Sequence, residues 1–466
     1  MALARTYAIA LAGVQGHVVE IEADIENGLV GLQLIGLPDT ALREARDRIR
    51  SAVINSGHDW PMRRITVGLS PASLPKRGSG FDVAIAVAVM SADGMLPDDC
   101  LAGTVFLGEL GLDGRIRAVP GVLPSIAAAA GAGFGRVVVP VENAAEAALV
   151  PAVRVVSVPT LSGLIGWLRA GGPVTPGWGA RVVDSGAGLA AVAPEEGSTG
   201  PHGDLADVVG QPVARRAAEI CAAGGHHMLL LGPPGVGKTM LAERLPGIMP
   251  SLEPAAALEV SAIHSVAGAL KPDRPLVTEP PFCAPHHTAT KAAIVGGGSG
   301  VIRPGAASLA HHGCLFLDEA PEFDRDVLDA LRQPLESGEV VVARSGLTAR
   351  FPARFTLVLA ANPCPCARTA TGGGGGCTCT PLVRRRYLAR LSGPLLDRVD
   401  VKVELLPVGR AELLSDRQLA EPSAAVAERV LHARLRAAHR LRGTRWRLNA
   451  EVPGSELRRS FRPEPG

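Results

Sequence analysis

Residues 232–239 read Gly-Pro-Pro-Gly-Val-Gly-Lys-Thr, directly after the apolar run Met228–Leu231 and before a helix-forming stretch, Met240–Leu245. The octapeptide fits G-x-x-x-x-G-K-[ST] in the only local context where that spacing has a mechanism: strand, tight turn, helix. Its glycines let successive backbone N–H groups turn inward around one anion, and the helix N-terminus adds its dipole to that field. Gly232, Pro233, Pro234, Gly235, Val236 and Gly237 are therefore expected to cradle phosphates, Lys238 to reach the β and γ phosphates, and Thr239 to hold Mg²⁺. Lysine occurs only at 76, 238, 271, 291 and 402, arginine supplying the rest of the 47 basic side chains, so a lysine at 238 stands out.

Two further apolar runs follow. Cys314–Leu317 ends in Asp318-Glu319, and Phe355–Ala361 ends in Asn362. Apolar strands separated by helical stretches indicate a parallel α/β sheet, whose carboxyl ends carry the ligand-facing groups. Asp318 would complete the Mg²⁺ shell through water, Glu319 would polarise the attacking water as general base, and Asn362 would orient that water. Arg398, in Gly-Pro-Leu-Leu-Asp-Arg-Val-Asp, is a candidate arginine finger contributed by a neighbouring subunit. These residues call for ATP and Mg²⁺.

The chain of 466 residues is long enough for two or three domains, and a net charge of +2 excludes a histone-like polycation while leaving room for local patches. Residues 408–466 hold twelve arginines against seven acidic side chains, and Arg384-Arg385-Arg386 form a compact run. The excess over 408–466 reads first as a solvated helix face, and the Arg384–Arg386 run reads as surface charge at least as readily as a phosphate-backbone contact. No apolar run approaches the ~18–20 residues of a membrane span; the longest, Val83–Met90, stops at Ser91. The N-terminus weakly resembles a signal peptide but runs straight into alternating sequence, and reads as a first strand. The expectation is a soluble, cytoplasmic protein with no membrane partner.

Residues 1–170 read as an α+β domain: strands at Val18–Ile25, Leu29–Ile35 and Ile65–Leu69, an amphipathic helix from about Asp39 to Asn55, and a buried helix over Phe81–Ser91. A hairpin is expected over 104–119, turning at Leu112-Asp113-Gly114, with strands at Val137–Val139 and Val153–Val158. Residues 171–203, rich in Gly, Pro and Ser, read as a linker, 204–407 as the nucleotide-binding core, and 408–466 as a helical segment.

Eight cysteines are too few for a disulfide scaffold, and four fall in two tight pairs, Cys364/Cys366 and Cys377/Cys379. A glycine-rich stretch between the pairs lets the second fold back on the first, and four thiolates suit tetrahedral Zn²⁺; an iron–sulfur cluster or redox thiols is the alternative. Cys100, Cys221, Cys283 and Cys314 read as small buried hydrophobes. The pairs His286-His287 and His311-His312 read as hydrogen-bonded structural histidines, since adjacent side chains seldom both face one metal.

The strings DVVGQ (207–211), GPPGVGKT, APHHT (284–288), GGG (296–298), RPGAASLAHHGCLFLDEAPEF (303–323), NPCPC (362–366) and SGPLLDRVD (392–400) together resemble the magnesium-chelatase-like AAA+ ATPases of the YifB/ComM group. The resemblance implies an AAA+ core, a ring, hexameric by analogy, and a structural zinc knob at 364–379. It implies a Lon-protease-like domain over 1–170. By alignment with Lon enzymes the serine position is Gly80, one place from Ser79, and the lysine position is Leu123, so neither half of the Ser–Lys dyad is present and no protease activity is expected. ComM-like proteins are branch-migration helicases of homologous recombination during DNA uptake, so the resemblance implies single-stranded or branched DNA as partner. The runner-up is a protein-remodelling motor of the magnesium-chelatase type. In the family a helical lid continues past a segment like Asn449–Gly454 to an arginine that contacts nucleotide in cis. Here Arg458 and Arg459 are the nearest substitutes before a Pro-rich end, so an incomplete lid, poor hydrolysis and weak ring assembly are expected.

Overall fold

Alternation of apolar and polar side chains builds the first module. In the computed structural model, which describes residues 2–172, 179–183, 203–298, 302–344, 347–367, 377–416 and 419–461, strands β1 (Ala2–Ala12) and β2 (Gln15–Glu26) form a long antiparallel hairpin running from Ala2 opposite Ile25 to Ala12 opposite Gln15. Val19, Ile21 and Ala23 of β2 are fully buried, every second residue, as a half-covered sheet requires. Around this hairpin β3 (Gly31–Ile35), β4 (Arg64–Ser70), β5 (Thr104–Phe106), β8 (Arg136–Pro140), β9 (Arg154–Val158) and β10 (Arg181–Val183) complete a mixed eight-stranded sheet in the order β10-β9-β8-β5-β1-β2-β4-β3.

One face of the sheet is covered by two helices. Thr40–Asn55 starts at Asp39, whose carboxylate accepts from the Leu42 N–H at 2.9 Å, a cap worth about 1 kcal/mol. It buries Leu42, Ala45, Ile49 and Val53, the spacing of one helix face. Asp82–Ala92 is buried along its whole length, which explains why it is apolar on every side. Its one carboxylate, Asp82, accepts from Arg48 at 2.6 and 3.1 Å and from the Leu110 N–H at 3.1 Å, so the buried charge is paired and hydrogen-bonded. The helix Val122–Gly131 covers the opposite face, against Val105, Val137 and Val155.

Two expectations are corrected here. The 104–119 stretch is not one hairpin: β5 joins the large sheet beside β1 and β8, and only β6 (Glu109–Leu110) and β7 (Ile116–Arg117) pair across the turn. The apolar Val105 and Phe106 are worth more buried in the main sheet than in a two-stranded ribbon. The linker also begins later than 171, because Arg181–Val183 pairs antiparallel with β9. The rest of that stretch, 173–178 and 184–202, lies outside the described residues.

The second module is a five-stranded, all-parallel sheet of β11 (Met228–Leu231), β12 (Phe282–Cys283), β13 (Cys314–Leu317), β16 (Thr356–Ala361) and β17 (Val401–Glu404), in the order β12-β13-β16-β11-β17. Every residue of β13 and β16 is buried, as parallel strands covered on both faces must be. A separate antiparallel pair, β14 (Glu339–Arg344) and β15 (Leu347–Pro352), stands outside the sheet. The helix Ser423–Arg440 places Val426 and Val430 in the core of this module and binds helix Pro212–Gly224 through Arg434, which donates to the Ala222 carbonyl at 2.9 and 2.7 Å.

The two modules touch along a seam. The Gly121 N–H donates to the Ser265 carbonyl at 3.0 Å, the Ser265 hydroxyl donates to Glu146, and Gly13 bridges Arg350 of β15. Leu11 and Val14 pack there with Val266, Ile302, Ala349 and Phe351. Among the described residues no helix is long and apolar enough to cross a membrane.

Candidate nucleotide site

The strand order decides which side chains meet. The phosphate-loop strand β11 lies between β16 and β17, and β13, which ends in the two acids, is one strand further out. Asn362 therefore ends between the loop and the acids rather than beyond them. The Gly232 N–H donates to the Ala361 carbonyl at 3.1 Å, closing the loop onto the end of β16.

The loop has the shape of an anion cradle. Gly235 and Gly237 hold φ of +79° and +93°, left-handed values that an L side chain resists, and a Cβ at either would meet nothing within 4 Å, so the space above them is open. Gly232 is fixed for another reason: a Cβ there would lie 2.5 Å from the Leu405 carbonyl oxygen of the segment after β17. Helix Lys238–Arg244 begins at the loop's end and aims its first N–H groups into the same space.

Lys238 is buried, and its ammonium donates to the carbonyls of Gly232 at 2.6 Å and Pro233 at 3.0 Å and to Asn362 Oδ1 at 3.0 Å. Burial pulls its pKa below the ordinary lysine value, and Asp318 and Glu319 oppose that shift. The cation is thus folded back onto neutral oxygens next to an open cradle. Thr239 Oγ1 donates to Asp318 Oδ2 at 2.8 Å, so the hydroxyl and carboxylate suited to one hard cation are already together. This donor set fits Mg²⁺: a hydroxyl and a single carboxylate, with the remaining positions left for water and phosphate oxygens.

Glu319 adopts φ +50°, an unusual conformation for a side-chain-bearing residue and one that costs on the order of 1–3 kcal/mol. Its N–H donates to Asp318 Oδ1 at 2.9 Å, and its carboxylate is half exposed and lies 3.6 Å from His287 Nδ1. His287 is the one member of the two histidine pairs that approaches this site. His286 instead bonds Thr288 Oγ1 at 2.9 Å. His311 Nδ1 accepts from the Arg354 N–H at 2.9 Å, which leaves the proton on Nε2, 3.2 Å from Glu259, with His312 Nε2 at 3.4 Å from the same carboxylate. To ligate a metal through Nε2, the neutral His311 ring would have to shift its one proton to Nδ1 and give up the Arg354 bond, so as placed the trio is a histidine–carboxylate brace.

The structure brings together Lys238, Thr239, Asp318, Glu319 and Asn362, but not Arg398, which pairs with Glu336 at 2.7 Å on an exposed face. Sequence reasoning missed Gln211, whose amide donates to the Leu406 carbonyl at 2.8 Å and reaches Val236 O at 3.4 Å, bracing the loop from outside. Only its place in the DVVGQ string flagged it, because its partners lie far along the chain.

Directly after Asn362 the chain makes a second cluster. Cys364, Cys366, Cys377 and Cys379 bring their sulfurs within 4.8 Å of one another, with Cys364 at 3.2 Å from Cys366 and 3.3 Å from Cys377. Tetrahedral zinc–thiolate bonds place sulfurs about 3.8 Å apart, so the donor set fits Zn²⁺ with little movement. The glycine-rich stretch between the pairs, 368–376, lies outside the described residues. Of the other cysteines, Cys221 and Cys314 are buried as expected, whereas Cys100 and Cys283 are only half-buried.

The family model described as magnesium chelatase, subunit ChlI, matches residues 204–413, and a second, subunit ChlI of Mg-chelatase, matches 21–143. An uncharacterized protein of Mycobacterium tuberculosis is 53% identical over 463 residues, covering 99% of this chain and 88% of its own length. Competence protein ComM of Haemophilus influenzae is 42% identical over 441 residues, 93% of this chain and 82% of that protein. YifB of Escherichia coli is 40% identical over 459 residues, 98% and 86% of the two chains. With a parallel sheet carrying a phosphate loop and relatives matched across both modules, the chain belongs to the YifB/ComM family of magnesium-chelatase-like AAA+ ATPases.

Proposed function

We propose that the protein is an ATP-driven ring motor acting on DNA, with Lys238 and Thr239 gripping the triphosphate, Glu319 activating water and Asn362 orienting it. The observation that carries the nucleotide half is the convergence of Lys238 on Asn362 and of Thr239 on Asp318 around an open, glycine-lined cradle. When ATP enters, its phosphates would replace the loop carbonyls and Asn362 Oδ1 as partners of the Lys238 ammonium. Released from that bond, the Asn362 amide is free to hold water between Glu319 and the γ-phosphate. Mg²⁺, held by Thr239 and through water by Asp318, would neutralise phosphate charge. Loss of the γ-phosphate then restores the Lys238–Asn362 bond, so the end of β16 reports the nucleotide state.

DNA as substrate rests on the relationship to ComM, a competence protein by name, along most of both chains. Fold alone does not transmit substrate, so this half needs its own test. In this reading the first module is a Lon-like platform without a proteolytic dyad: Gly80 carries no nucleophile, Leu123 is buried, and the Ser79 hydroxyl is engaged by Glu109. The four-cysteine knuckle is a structural zinc site, and subunits associate as a ring. The deciding assay is ATP-dependent release of a labelled strand from a four-way DNA junction. Wild-type protein should resolve the junction and Glu319→Gln should not. Junctions left intact by wild-type protein that hydrolyses ATP would favour protein remodelling instead.

A further inference from the structure

The helix Pro381–Leu388 is poorly explained by its own fold. It begins with Thr380 capping the Val383 N–H, and all seven residues from Thr380 to Arg386 are exposed; only Tyr387 is buried. A helix of eight residues is marginal in water unless a face is packed, yet Leu382 and Val383 are 57% and 40% exposed. What holds it is its two ends. At the front, Cys379 and Cys377 join it to the knuckle, and the Arg384 guanidinium lies 3.4 Å from Cys377 Sγ. At the back, Tyr387 is buried near Cys364, Glu319 and Glu322, and burial with those carboxylates pushes its phenol up to about 12. Arg390 closes that end on Glu322 at 3.2 Å.

Between these anchors stand Arg385 and Arg386, with no carboxylate partner among the described residues. A helix about 12 Å long, exposed from Thr380 to Arg386 and carrying guanidinium groups with no carboxylate partner among the described residues, matches a partner that lays negative charge along it. A duplex groove does so, with a phosphate rail on each side, whereas a flat acidic protein surface would leave the far side of the helix uncovered.

We propose that this knuckle-mounted helix, through Arg385 and Arg386, is the element that grips the phosphate backbone of a nucleic-acid duplex. The inference rests on the DNA reading above and deepens it by naming the contact. It also gives the knuckle a use: Cys364 is two residues from Asn362, so a load on the helix is carried to the end of β16.

The test is fluorescence anisotropy of a labelled 30-base-pair duplex with the full chain over a salt series, comparing wild type, Arg385→Ala/Arg386→Ala, and the exposed control pair Arg436→Ala/Arg442→Ala. Fluorescent ATP-analogue binding and zinc content verify folding of each. The first pair should weaken binding about tenfold or more and reduce the slope of log K against log salt by about two, one per lost phosphate contact, with the control pair near wild type. Wild-type binding that survives unchanged in Arg385→Ala/Arg386→Ala overturns this assignment but leaves the DNA reading intact. Equal losses in both pairs overturn it as a net-charge effect, and displacement of the duplex by polyglutamate at equal charge overturns it in favour of an acidic protein. No wild-type binding to any duplex or junction removes both readings.

Discussion

Single residues show most clearly where local pattern ends and tertiary context begins. Lys238, Thr239, Asp318 and Glu319 are legible because each sits at a fixed offset from a strand end. Asn362 was legible as a strand-end amide, but its bond to Lys238 depends on β16 inserting beside β11, which no local spacing encodes. His227 was not legible at all. It stands just before β11, where its Nδ1 accepts from the Leu357 N–H at 3.0 Å and its carbonyl accepts from the Val401 N–H at 3.1 Å, tying three strands at their base. Burial pulls its pKa down to about 4, so the folded state keeps the ring neutral while the unfolded chain protonates near the ordinary 6.5. A folded-state pKa below the unfolded one gives stability that is complete above about pH 6.5 and lost as the pH falls toward 4. Urea unfolding at pH 5 should therefore show a deficit on the order of 1–2 kcal/mol relative to pH 7, and His227→Gln should flatten that part of the dependence. An equal pH slope in His227→Gln would assign the deficit to other groups.

At the scale of elements, strongly patterned segments were readable and short ones were not. The helix 40–55, the fully apolar helix 82–92 and the strands β2, β11, β13 and β16 follow from periodicity or unbroken apolar runs over their whole length. The three-residue β10 has too little sequence to show a period and was absorbed into a Gly- and Pro-rich linker; its place follows only from the exposed edge of β9. The 104–119 region misled because a turn at Asp113-Gly114 is real, yet the apolar Val105 and Phe106 serve the large sheet. The cysteine knuckle was readable in composition, and its sulfurs do converge. Freshly purified protein should carry about one zinc per chain, lost in Cys364→Ser and Cys379→Ser with nucleotide binding retained. Iron, or no metal by elemental analysis, would refute a zinc knuckle.

For the whole molecule, β15 with helix Pro254–Ala267 supplies the ATPase side of the seam between the two modules among the described residues. The arginine-finger role proposed for Arg398 belongs to this scale because it would require a second subunit. Arg398 is exposed, and among the described residues its side chain pairs with Glu336, a surface pair worth little and easily exchanged for a phosphate. Doping wild-type protein with Arg398→Ala should depress total ATPase activity more than dilution predicts; strictly proportional loss would contradict action in trans. Everything proposed for the assembled machine depends on one division of labour, grip by Lys238 and water activation by Glu319. The most direct measurement pairs equilibrium ATP binding with steady-state turnover in Lys238→Ala and Glu319→Gln. Lys238→Ala should lose binding and turnover together, whereas Glu319→Gln should bind ATP as wild type does and turn over at least about a hundredfold more slowly. Equal loss of binding in both variants, or wild-type turnover in Glu319→Gln, would contradict it.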